Sequence, residues 1–152
     1  MHMSGPHHLL ISPELRQAII SLLAYFENDN WRHKVENFNE MMLEKYGKLC
    51  DAMRRSLDGL GTAADYVTIR EACITTDWLG VYLSRWKAVS ERRQKVSKNP
   101  DTWDPVINFI QDVIDKLGTI YTLLNHATEE HHAWIQTACM SSLLLQLKTL
   151  SD

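Results

Sequence analysis

Apolar residues recur at steps of three and four along most of the chain, and no stretch alternates at period two, so the pattern predicts helices and no strands. The first helix starts at Ser12, a side chain suited to capping. Pro13 follows at the first helical position and Glu14 at the positive end of the dipole. Ile19, Leu22, Leu23 and Phe26 give it one apolar face, and Glu27-Asn28-Asp29-Asn30 stops it. A second helix is predicted over 31–57, because Val35, Phe38, Met42, Tyr46, Leu49, Met53 and Leu57 form one stripe.

Thr62, with Asp65 three residues later, caps the next segment. The β-branched cluster Ile74-Thr75-Thr76 favours a break, with Thr76-Asp77 capping a further helix whose stripe is Leu79, Tyr82, Leu83, Trp86 and Val89. The competing expectation is one long helix with Thr76 on its buried side. Asp104 as cap and Pro105 behind it open a helix with the stripe Val106, Ile110, Val113, Leu117, Ile120 and Leu124. Ile107, Ile114 and Tyr121 broaden that face, so this helix is expected at the centre. A last helix, capped by Thr128, is expected to run to about Leu150. The expectation is therefore an all-α fold, an antiparallel helical bundle of five to six helices. Residues 12–152 form its single domain, after a flexible tail at 1–11 that is partly left from cloning.

Composition agrees with this pattern. Six Gly and four Pro in 152 residues leave few breakers, and 45% hydrophobic residues can build a core without a disulfide or metal staple. Cys50, Cys73 and Cys139 are scattered, with no CxxC, which suits reduced thiols in a cytoplasmic setting. No run reaches the ~18 apolar residues of a membrane span.

The net charge is −3, so no overall field draws the chain to nucleic acid. Yet residues 85–98 hold six basic groups and one acid, while 101–152 hold seven acids and two lysines. Arg85, Lys87, Arg92, Arg93 and Lys95 are therefore one candidate interaction surface. The second is the C-terminal helix, where Leu143, Leu144, Leu147 and Leu150 spread apolar groups around most of the circumference. Such a helix is either central in the core or buries a second side against another chain.

The only candidate for site chemistry is His126, Glu129, Glu130 and His132. Glu129-x-x-His132 has the spacing with which ferritin-like bundles share a metal between Glu and His one turn apart. No second Glu-x-x-His exists in the chain, and His33 with Glu36 offers only the reverse order. Acids at a helix start also suit the dipole without any metal. Phosphate-loop, dinucleotide, zinc-protease and nucleophile-elbow motifs are absent.

The reading that follows is a non-catalytic protein–protein interaction module: an adaptor, inhibitor or assembly subunit, with no cofactor. Its partner is another protein, and it self-associates as a homodimer through the C-terminal helices. A small helical metalloprotein or hydrolase using the His/Glu cluster is the first alternative, and nucleic-acid binding through the basic helix end is the second.

Overall fold

The computed structural model describes residues 11–125. Over these the protein is all-α: α1 (Pro13–Phe26), α2 (Asp29–Val35), α3 (Glu40–Leu57), α4 (Ala63–Ala72), α5 (Trp78–Val96), a 3-10 turn at Pro100–Trp103, and α6 (Asp104–Asn125). The expected last helix, with Leu143, Leu144, Leu147 and Leu150, lies outside the described residues, as do Cys139 and the His126, Glu129, Glu130, His132 cluster.

The caps act as their sequence suggests. Ser12 Oγ accepts from the Leu15 N–H at 3.1 Å, with Pro13 opening α1. Thr62 and Asp65 form a reciprocal capping box at the start of α4. The chain breaks between Ala72 and Trp78, and Asp77 caps α5, so the expected division near Thr75 holds and the single long helix does not. One boundary differs at 104: the 3-10 turn runs directly into α6, so Asp104 is its first residue and not its cap.

The predicted helix over 31–57 needs correcting, because it is two helices. The Asn37 and Phe38 N–H groups turn back to the Lys34 and Val35 carbonyls, which closes α2. Asn39 Oδ1 then accepts from the Met42 N–H at 2.9 Å and restarts the chain as α3. Asparagine favours this position because its side chain mimics a backbone acceptor. The apolar stripe passes through the corner unbroken because Phe38 still turns inward and is buried.

Helix α6 packs against α1, α4 and α5, the central position its broad apolar face called for; α3 packs on α1 and α4. The core is continuous. At one end Trp31 is fully buried and its ring meets Phe26, Phe38, Tyr46, Tyr82 and Trp86 at centroid distances of 5.0 to 6.3 Å. Ile19, Leu22, Met53, Ile69, Ile110 and Ile120 are buried in the same core. Among the described residues no helix is long and apolar enough to cross a membrane.

One ion pair ties α3 to α4. Arg55 grips Asp65 through both Nε (3.1 and 3.2 Å) and Nη2 (2.7 Å). Burial by itself pushes the Asp65 carboxyl up, but the Arg55 hydrogen bonds, the Thr62 N–H and the Arg55 charge together hold it below its ordinary value. A lowered folded-state value stabilises the protein above the unfolded carboxyl range, near ~4, and this contribution is lost as pH falls through the folded value. Asp65→Asn is therefore expected to cost about 1–3 kcal/mol at pH 7. In urea titrations the gap to wild type should narrow steadily below pH 4. A gap of unchanged size at pH 2 would contradict the assignment.

Both described cysteines are free and buried. Burial pushes the Cys73 thiol up to about 12, and for Cys50 it outweighs the Tyr46 hydrogen bond and the Arg54 charge. In a Cys139→Ser background neither thiol should react with an aromatic disulfide reagent at pH 8 until denaturant is added. Prompt reaction of one equivalent in the folded protein would be the contrary result.

Candidate binding cleft

A cleft of about 540 Å³ opens between α2, α5, the 3-10 turn and α6. That volume lies within the ~300–1,000 Å³ range of ligand sites. Helix α5 supplies its length: Tyr82, Arg85, Trp86, Val89, Ser90 and Arg93 recur at steps of one, three and four along one side. One wall comes from α2, through Asn30, His33, Lys34 and Asn37. The opposite wall is Trp103 with Val106 and Phe109.

Local structure holds each wall in place. Asn28 caps α2 by accepting from the Asn30 N–H at 2.9 Å, and the Tyr82 hydroxyl donates to the Lys34 carbonyl at 3.4 Å. At the far end Gln94 Nε2 donates to the Pro100 carbonyl (3.0 Å) and to Asp104 Oδ1 (2.6 Å). This clamps the 3-10 turn onto α5 and sets Trp103 beside Arg93. Gly80 lets α5 start close to the preceding turn. A Cβ there would stand 2.3 Å from the Thr75 carbonyl oxygen, a contact no side chain can make.

The electrostatics are one-sided. Lys34, Arg85 and Arg93 line the cleft with His33, and no Asp, Glu or Cys does. Among the described residues none of those three cations has a carboxylate within 4.0 Å. Two of them lie over indole faces instead: Lys34 Nζ is 4.9 Å from the Trp86 centroid and the Arg93 guanidinium 6.0 Å from that of Trp103. An aromatic face attracts a cation without neutralising it, so the positive field remains available to a ligand. Burial pushes the Tyr82 hydroxyl up to about 12, and its proton is donated to the Lys34 carbonyl.

The basic surface expected from sequence is thus divided. Arg85 and Arg93 enter the cleft. Lys87 instead donates to Gln111 of α6 at 2.7 Å and lies 3.8 Å from Glu91, while Arg92 and Lys95 are exposed and outside the lining. Lys34, Trp103 and Phe109 join Arg85 and Arg93 in the lining without a local sequence signal that links the three, and His33, weighed in the sequence only beside Glu36, lines the cleft with Lys34. The basic run Arg32-His33-Lys34 is the one sequence feature that points to the α2 wall.

Chemically, the lining offers cations, amides, two hydroxyls and ring faces, a set suited to holding an anion beside an apolar group. Nowhere among the described residues do three or more His, Cys, Asp or Glu side chains converge as metal ligands. The chain matches no protein-family model, no curated protein and no solved structure.

Proposed function

We propose that this chain is a non-catalytic protein–protein interaction module that takes an acidic segment of its partner into the α2–α5–α6 cleft. One observation carries the reading: three cations share a cleft with four aromatic side chains and no acid. Placing unpaired cations together costs stability through mutual repulsion, and an anionic partner relieves that cost while gaining steered encounter. A carboxylate-rich segment meets the charges, and its apolar side chains meet Trp86, Trp103, Val106 and Phe109.

The test is a fluorescence titration with an Asp/Glu-rich peptide, read through the cleft tryptophans. Wild type should bind, more weakly as salt rises, and Arg85→Glu/Arg93→Glu should lose at least about tenfold in affinity, or about 1.4 kcal/mol. That double variant should in turn prefer the Lys-rich counterpart. Both replaced side chains are exposed, so the fold should survive, with far-UV circular dichroism as the check. Equal binding of acidic and basic peptides by the wild type would remove the reading.

The aromatic lining favours a second reading, single-stranded nucleic acid, since bases stack on indole and phenyl faces. A short oligothymidylate in the same titration separates the two. Self-association through Leu143, Leu144, Leu147 and Leu150 rests on their sequence pattern, and light scattering on a chain lacking residues 143–152 tests it. The two buried free thiols support a reducing, cytoplasmic setting.

A further inference from the structure

The partner's residue pattern can be taken one step further, on the basis of the acidic-segment reading above. Arg85 and Arg93 stand eight residues apart on α5, a rise of about 12 Å along the helix axis. Between them on the same side lie Trp86, Val89 and Ser90, facing the wall formed by Val106 and Phe109. The cleft therefore has an arginine toward each end, with Trp86, Val89, Val106 and Phe109 between them and Lys34 beside the Trp86 ring.

An extended peptide advances about 3.3 Å per residue and sends residues i, i+2 and i+4 to one side. Residues i and i+4 are then about 13 Å apart, close to the spacing of the two arginines. Residue i+2 falls over Trp86, Val89 and Phe109. An aromatic side chain suits that place, because ring pairs gain from offset or edge contacts beyond the area they bury. An extended segment also carries unpaired backbone N–H and C=O groups, and the exposed side chains of Asn30 and Asn37 bring amide groups to the lining that can meet them. A helical partner has already satisfied its own backbone and gains nothing from those two side chains.

We infer that the cleft reads an extended acid–x–aromatic–x–acid segment of a partner protein, with its acids on Arg85 and Arg93 and its aromatic ring between them. Lys34, over Trp86, adds positive charge beside the ring position.

The experiment compares three peptides, with an all-Ala core as control, in identical Gly/Ser flanks by calorimetry on the full chain. Their cores are Glu-Ala-Phe-Ala-Glu, the same composition reordered as Glu-Glu-Phe-Ala-Ala, and Glu-Ala-Ala-Ala-Glu. The first should bind about tenfold more tightly than either of the others. Arg93→Glu should abolish its advantage over the reordered core. Equal affinity for the first two cores overturns the spacing while leaving the acidic-segment reading in place. Equal affinity for the first and third removes the aromatic position. If no acidic core binds better than an all-Ala core, this inference and the function beneath it both fall. Tighter binding of oligothymidylate than of any peptide overturns the partner class.

Discussion

Trp31→Ala should lower the stability of this protein by about 3–5 kcal/mol, the range for truncating a fully buried aromatic residue. Trp31 has no exposed surface and five aromatic neighbours, so its removal leaves a cavity that rigid rings cannot collapse to fill. For a chain of this size the loss corresponds to roughly 10–20 °C in Tm by calorimetry. Trp31→Phe should recover more than half of it, since Phe refills most of the space. It also removes the indole N–H, which is buried with no hydrogen-bond partner among the described residues. Because Tyr82 and Trp86 touch Trp31 and line the cleft, the Ala variant should also weaken acidic-peptide binding. A Tm within 3 °C of wild type for Trp31→Ala would show that the aromatic cluster does not organise this end of the fold.

Gly80→Ala is the second large effect. The added methyl would meet the Thr75 backbone at 2.3 Å from its oxygen, 2.6 Å from its carbonyl carbon and 2.7 Å from its Cα. Backbone cannot move aside as a flexible side chain does, so the start of α5 must shift away from the α4–α5 turn. About 1–3 kcal/mol should be lost. Gly47 and Gly118 have nothing within 4 Å of the same methyl position. At those sites Ala should stabilise the helices by up to about 1 kcal/mol each. The contrast in sign, read from urea midpoints of the three variants, isolates the close approach from helix propensity. Stabilisation by all three would contradict it.

These positions also mark where the sequence was legible. The ends of α1 and the start of α4 were readable because Ser12, Pro13, Thr62 and Asp65 act on backbone groups within four residues of themselves. The turn at 36–39 was hidden. Val35, Phe38 and Met42 keep helical spacing through a corner, and the capping asparagine at 39 competes against a strong apolar stripe. Gly47, Gly80 and Gly118 all fall inside helical stretches of the sequence, and only packing separates the one that is needed from the two that are not.

The cleft was half legible. Arg85 and Arg93 were in view as part of a basic run, but charge along a sequence does not say which members share a helix side. Lys87, Arg92 and Lys95 left the group once α5 was wound and α6 laid beside it. The α2 wall and Trp103 came from segments 66 to 73 residues apart in the chain, a long-range pairing that no local spacing carries.

Whether an acidic segment occupies this particular cleft is read by titrating 15N-labelled protein with the Glu-Ala-Phe-Ala-Glu peptide and following the tryptophan indole N–H signals. Trp86 and Trp103 line the cleft, whereas Trp31 is buried behind it. The Trp86 and Trp103 signals should move in step with peptide concentration, Trp31 should stay nearly fixed, and Arg85→Glu/Arg93→Glu should suppress the movement. Binding that leaves Trp86 and Trp103 unmoved would place the acidic segment elsewhere on the protein.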